Sequence, residues 1–302
     1  MEWDLDRKKS GLTILPPFNL RSSDNIYENR LEALEANCVF LSESNEKYVI
    51  LSDTNYVGNI DYNKMLDYHI KTGAEVTGFY TKKTRNNQIG VKNTCIAVDK
   101  DGRISDIEIL TEKPDNMYVA INTWIMEREY LLELLKKARS TGATSFRRDV
   151  IKPLLKDHKI MAYEHPGVIL CLDNLSAYLQ SSLDLLDENI RNDLFHSENG
   201  PIITKTKDSA PTRYGAHAKV ANSLIADGCI INGEVRNSIV FRGVRIAEGS
   251  KIENCVIMQE STIGHNVRLN YAVLDKRSTI NDDRMLSGYV THPFYCGTKV
   301  TI

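Results

Sequence analysis

The 302-residue chain has no Gly-Gly pair and no Cys-x-x-Cys pair. No apolar run approaches the about 18 residues of a membrane span, so no transmembrane helix is expected. The N-terminal run Met1-Glu2-Trp3-Asp4-Leu5-Asp6-Arg7 is acidic and lacks an apolar segment, so no signal peptide is expected. Six cysteines (Cys38, Cys95, Cys171, Cys229, Cys255 and Cys296) are scattered. That spacing argues against a zinc site or disulfide framework and predicts buried thiols in a reducing, cytoplasmic setting. A net charge of -2 gives no basis for a nucleic-acid or membrane partner. What remains is ordinary for a globular protein: 42% hydrophobic and 26% charged residues, with length for two domains.

What is present is a repeat. Asn222-Ser223-Leu224-Ile225 returns as Asn237-Ser238-Ile239-Val240, as Asn254-Cys255-Val256-Ile257, and more loosely as Asn270-Tyr271-Ala272-Val273, in steps of 15, 17 and 16. Self-similarity at this short period predicts a solenoid with three short strands per coil, a hexapeptide-repeat parallel β-helix. Gly228, Gly233, Gly243, Gly249 and Gly264 exclude a helical reading, since each would cost about 1 kcal/mol inside a helix. In a β-helix they are expected at corners that need positive φ. The tail from Met285 to Ile302 is expected to cap the open end with Tyr289, Phe294 and Tyr295.

The part before residue 190 alternates strand-like and helix-like pieces. Tyr48 to Leu51, Glu75 to Tyr80, Lys159 to Tyr163 and Gly167 to Cys171 read as strands. Cys95 to Val98 and Ile104 to Leu110 flank an Asp-Gly turn and read as a hairpin. Asp61 to Thr72, Glu127 to Ala138 and Ser176 to Asp187 read as helices, with Arg147 to Leu155 as a shorter one limited by Pro153. The alternation predicts an α/β domain with an open sheet covered on both faces. Apolar periodicity then fades and Pro201 and Pro211 enter, which predicts a linker. The expected organisation is an α/β domain over 1–190, a linker over 191–215 and a β-helix with its cap over 216–302.

These segments carry a resemblance. Trp3 to Arg7, Ile50-Leu51-Ser52, Asn59-Ile60-Asp61-Tyr62, Glu112-Lys113-Pro114 and the Asn-Ser-(Leu/Ile)-(Ile/Val) coils together resemble glucose-1-phosphate adenylyltransferase, in particular its GlgD-type subunit of bacterial glycogen biosynthesis. The resemblance implies a Rossmann-like nucleotidyltransferase domain followed by a left-handed parallel β-helix, and membership of a heterotetramer with a catalytic homologous subunit. The family joins ATP and glucose 1-phosphate to give ADP-glucose and pyrophosphate, with Mg²⁺ in its active members. Charge that builds on the α-phosphoryl oxygens must be offset by a metal, by Lys or Arg, and by a backbone nest.

Position by position, the resemblance implies a degraded site. The family's glycine-rich loop, G-G-x-G-x-R-L, precedes the segment resembling Trp3 to Arg7, so the expectation is an α/β domain shortened by that loop with its strand and helix. L-S-G-D-H becomes Leu51-Ser52-Asp53-Thr54-Asn55, which puts Thr54 at the metal aspartate, with Asp53 one residue off. D-F-G-K-D becomes Ser145-Phe146-Arg147-Arg148-Asp149, which puts Ser145 at the other. G-T-A-D-A becomes Arg21-Ser22-Ser23-Asp24-Asn25, and W-R-D-V-G-T keeps only Asp173, a residue also suited to capping the next helix. Glu112 and Lys113, with Asp24, are the retained sugar-phosphate positions. No catalytic residue and no metal ligand is assigned.

The implied function is a regulatory, non-catalytic subunit. Besides a plain scaffold with no ligand, two alternatives stand beside it. One is an active adenylyltransferase using Asp53 and Asp149. The other is a hexapeptide-repeat acyltransferase with His217 or His265 as general base.

Overall fold

The computed structural model describes residues 11–15, 27–83, 93–111, 113–202 and 208–302. It falls into two compact units. The first comprises Met1–Ser52, Tyr62–Tyr80 and Asn93–Tyr163, and the second comprises Asp53–Asp61, Thr81–Lys92 and Glu164–Ile302. Up to the solenoid the order is α1 (Arg30–Ala36), α2 (Cys38–Glu43), β1 (Tyr48–Leu51), β2 (Tyr56–Val57), α3 (Tyr62–Thr72), β3 (Val76–Thr81), β4 (Asn93–Val98), β5 (Ile104–Leu110), β6 (Tyr118–Glu127) and α4 (Arg128–Thr141). A π-helix (Phe146–Ile151) follows, then α5 (Lys152–Leu154), β7 (Ile160–His165), β8 (Leu170–Cys171), α6 (Leu175–Asp184) and α7 (Glu188–Phe195).

The first unit is organised by β6. It pairs antiparallel with β4 through Tyr118 to Ala120 and with β1 through Trp124 to Glu127, while β3 takes its other edge. The strand changes neighbour at Asn122, whose φ is +46°. That conformation is uncommon outside glycine, and asparagine tolerates it better than most residues. Two bonds hold the kink: Trp124 Nε1 donates to Asn122 Oδ1 at 3.1 Å and Arg30 donates to the Asn122 carbonyl at 3.1 Å. Trp124 is fully buried in a core with Val76, Ile96, Ile104, Leu131, Leu135 and Ile151. Leu131, Leu134, Leu135 and Ala138 put one stripe of α4 into that core, and Gly142 ends the helix in the left-handed region at φ +66°.

The expected strand at 48–51, helix at 61–72 and Asp-Gly hairpin are present. Three expectations change. The piece expected as a short helix from Arg147 is a π-helix from Phe146, which passes to α-helix at Lys152. The expected strand from Gly167 contracts to Leu170–Cys171. The linker expected from 191 opens inside α7, whose Ile190 and Leu194 pack on Leu170. Two apolar residues four apart were too few to register as periodicity.

The solenoid consists of three five-stranded sheets, parallel throughout. Ile231, Ile246, Ile263 and Ile280 stack inward on one side, Val235, Ile252 and Leu269 on the second, and Val240, Ile257 and Leu274 on the third. Each fully buried aliphatic side chain contributes about 1.5–3 kcal/mol. Asn222, Asn237 and Asn254 turn one corner with φ of +43°, +47° and +54°, and the next residue in that column is Tyr271 at +47°. The last step is therefore 17 rather than 16: Val256 pairs with Val273, so Asn270 stands one place before the corner. Of the five glycines, Gly228, Gly243 and Gly249 have positive φ. Gly233 and Gly264 are there for close approach: a Cβ on Gly233 would lie 2.5 Å from the Ser250 carbonyl oxygen, and one on Gly264 would lie 2.3 Å from Asp282 Oδ1.

The C-terminal tail adds Phe294–Cys296 to one sheet, and Phe294 and Ile302 pack on the core. Tyr289 and Tyr295, expected in the cap, are exposed. α6 lies on one face of the solenoid, with Leu179 against Val256 and Val273. None of the six cysteines is in a disulfide, and all but Cys38 are buried. Among the described residues no helix is long and apolar enough to cross a membrane.

Candidate functional site

In the first unit the site positions lie just after β1, within β4 and β6, between β5 and β6, and at the start of the π-helix. Ser52, after β1, shares a 2.9 Å hydroxyl contact with Thr123 of β6. Arg147 donates to the Thr94 hydroxyl of β4. Lys113 is exposed, and its ammonium donates to the carbonyls of Pro114 at 3.2 Å and Met117 at 3.1 Å. The cation of the retained Lys-Pro pair is thus turned onto its own loop. Glu112 and Asp24 lie outside the described residues.

Ser145 is the N-cap of the π-helix, and its hydroxyl accepts the Arg148 N–H at 3.3 Å. Asp149 closes the same turn. One carboxylate oxygen accepts the backbone N–H groups of Thr144 at 3.0 Å and Ser145 at 2.9 Å, and the other accepts from Arg148 Nε at 2.7 Å. The Arg148 bond, with the Thr144 N–H next, holds the Asp149 carboxyl well below the usual carboxylate range. This carboxylate is anionic, and both of its oxygens are engaged within its own turn.

In the second unit Thr54 is exposed and Asp53 half-buried. The neighbouring Asn55 donates its side-chain amide to Asp173, and the Cys171 thiol donates to the other oxygen of that carboxylate at 3.0 Å. The strand pair Tyr56–Cys171 brings these two stretches together. Asp173 does not cap α6; Asn174 does, accepting the Ala177 N–H at 2.8 Å. Sequence reasoning missed the Asn55–Asp173 and Arg147–Thr94 contacts. The first had a signal, since Asn55 and Asp173 stand in two stretches already aligned with family motifs; Thr94 had none.

The Mg²⁺ that the resemblance implies does not fit the described residues Thr54, Ser145 and Asp149. A hydroxyl at Thr54 is a weaker ligand than a carboxylate, the Ser145 hydroxyl caps a helix, and both Asp149 oxygens are engaged by its own turn. Among the described residues no group of three or more His, Cys, Asp or Glu side chains is arranged to hold a metal.

His217 and His265 sit exposed on solenoid corners. His217 lines a cleft of about 400 Å³ with Lys219, Asn232, Glu234, Glu248 and Lys251. The cleft exists because one coil is short: Ile231 lies 17 residues after its partner Tyr214, but Glu234 only 15 after Lys219. Glu234 lies 3.2 Å from Lys219 and 3.9 Å from Lys251, so the charges there largely neutralise one another.

Comparison with known proteins agrees with this architecture. The nucleotidyl transferase family model matches residues 8–183, and the GlmU-like, C-terminal hexapeptide model matches 208–289. The glucose-1-phosphate adenylyltransferases of Bacillus cereus (strain ATCC 10987 / NRS 248), Bacillus mycoides and Bacillus anthracis are each 31% identical over 296 residues, covering 94% of this chain and 76% of theirs. The chain belongs to the glucose-1-phosphate adenylyltransferase family. As a member of that family it keeps both domains of the fold.

Proposed function

We propose that this chain is a regulatory, non-catalytic subunit of a glucose-1-phosphate adenylyltransferase, of the GlgD type, acting in the cytoplasm in bacterial glycogen biosynthesis. It assembles with a catalytic homologous subunit in a heterotetramer and changes that subunit's rate or effector response. The observation that carries the reading is the Ser145–Asp149 turn. The motif that should offer two carboxylates to a metal instead offers a capping hydroxyl and one carboxylate held by Arg148 and two backbone N–H groups. Lys113, bonded to Pro114 and Met117, is likewise occupied. In-line attack on the α-phosphorus needs charge stabilisation that these groups do not provide.

The test uses the full chain with ATP, Mg²⁺ and glucose 1-phosphate. Alone it releases no pyrophosphate above background. Added to a catalytic homologue it co-purifies and shifts that enzyme's rate or effector dependence. Pyrophosphate release by the chain alone, abolished by Asp53→Ala or Asp149→Ala, favours an active subunit instead. Absence of association with the homologue refutes the regulatory role.

A further inference from the structure

The chain contains two Asn-Gly pairs, Asn199-Gly200 and Asn232-Gly233. In such a pair the following amide nitrogen has no Cβ beside it, so it can approach the asparagine side chain closely. As sequence the two pairs are equivalent, but the fold treats them differently.

Asn199-Gly200 is a surface turn after α7. Asn199 is exposed, and Gly200 has a φ of +102°. The bonds in the turn include Gly200 N–H to the Ser197 carbonyl at 3.1 Å, Asn199 N–H to Ser197 Oγ at 3.3 Å, and Asn199 Nδ2 to the Asn59 carbonyl at 3.2 Å. Asn59 answers with its own side chain, donating Nδ2 to the carbonyls of Gly200 at 2.8 Å and Leu194 at 2.9 Å. The two asparagines form a reciprocal clasp that also satisfies a carbonyl near the C-terminal end of α7.

Asn232-Gly233 is the tight corner of the short coil. Strands Ile230–Ile231 and Glu234–Arg236 flank it directly. Asn232 N–H donates to Ile246 at 2.9 Å, the Gly233 carbonyl accepts from Lys219 at 3.2 Å, and Glu234 N–H donates to Ser250 at 2.8 Å. The Asn232 amide is packed against Gly215, where an added Cβ would lie 2.3 Å from Asn232 Oδ1. Bringing the side chain of Asn232 round to the nitrogen of Gly233 requires opening the ladder on both sides.

We propose that Asn199 is a site of spontaneous deamidation, that this reaction unlocks the Asn59 clasp, and that Asn232 is protected by the solenoid. The Gly200 nitrogen loses its proton and attacks Cγ of Asn199. The Cγ–Nδ2 bond breaks, ammonia leaves, and a succinimide forms. One water molecule then adds to either imide carbonyl and opens the ring to an aspartyl or isoaspartyl residue. The net change is water consumed and ammonia released, with no redox partner. Either product replaces the donor that faced the Asn59 carbonyl with an acceptor carrying negative charge. The isoaspartyl product also lengthens the backbone by one carbon, which carries the Gly200 carbonyl away from Asn59 Nδ2.

The full chain is incubated folded in mildly alkaline buffer and, in parallel, unfolded in urea, and peptides spanning 199 and 232 are followed by mass spectrometry. In urea both peptides convert at similar rates. In the folded chain the 199 peptide converts on the order of tenfold faster or more, because surface turns open far more cheaply than core ladders. Asn59→Ala, which removes the side-chain half of the clasp and leaves residues 199 and 200 themselves unchanged, speeds conversion at 199 several-fold and leaves 232 unchanged. Equal conversion at the two positions in the folded chain overturns the proposal. So does an intact residue 199 in folded protein whose urea control reacts.

Discussion

Asn55 donates its side-chain amide to Asp173, 118 residues further along the chain. The bond joins the stretch before β2 to the stretch after β8, within the second unit. Neither partner is fully buried, so each single replacement by alanine is expected to lower unfolding stability by about 1 kcal/mol or less. The double replacement costs no more than the larger single one, because the bond is lost once. Urea denaturation of the four proteins measures this, and additive losses refute the coupling.

Asp149 acts as a turn brace. Asp149→Ala is expected to cost about 1 kcal/mol, the usual value of a lost capping carboxylate. Because its folded pKa is depressed, the stabilisation is complete above the ordinary Asp value of 3.8 and is lost as pH falls below it. Wild type and variant therefore differ in stability near neutral pH and converge under strong acid. A constant difference at every pH contradicts the assignment.

Two buried histidines add a second pH dependence. His69 is buried in the first unit with Nδ1 2.8 Å from the Thr77 hydroxyl, and burial pushes its pKa down against a smaller opposing effect of Glu127. His165, buried in the second unit, is lowered by burial too, with Asp193 opposing. Below the ordinary value of 6.5 the unfolded chain binds protons that the folded chain resists. Stability is therefore fullest above that value and declines as pH falls through it. Thermal unfolding followed from about pH 7.5 to about pH 5.5 should show this decline, and His69→Gln should flatten part of it. Identical slopes with and without His69 refute its share.

Glycines in this fold differ in what they permit. A Cβ on Gly78 would meet the Trp124 ring at 2.7 Å, and one on Gly233 would meet the Ser250 carbonyl at 2.5 Å. Gly78→Ala and Gly233→Ala are each expected to cost about 1–3 kcal/mol through overpacking. Gly142 has open space around it and only its φ of +66° to protect, so Gly142→Ala should cost about 1 kcal/mol. The ranking is read from denaturation midpoints, and an equal cost at all three positions refutes it.

The sequence alone determined the solenoid, because its inward Ile, Val and Leu positions and its Asn corners are set by local alternation that repeats from coil to coil. It also set the strand at 48–51 through its short apolar run, and the helix read from Asp61 to Thr72 and the Asp-Gly hairpin, whose hydrogen bonds close between near neighbours. What each polar residue does was decided by tertiary structure. Tyr271, one place after the repeat-aligned Asn270, takes the corner that Asn222, Asn237 and Asn254 hold in the other coils, because the register is fixed by pairing with the coil before it. Asn174 caps α6, so Asp173 is left for Asn55, a partner supplied by strand pairing across more than a hundred residues. Ser145 and Asp149 read as a damaged metal motif and stand as the cap and brace of a π-helix. A side chain's chemistry is local, whereas the donors and acceptors that occupy it arrive from distant parts of the chain only once it has folded.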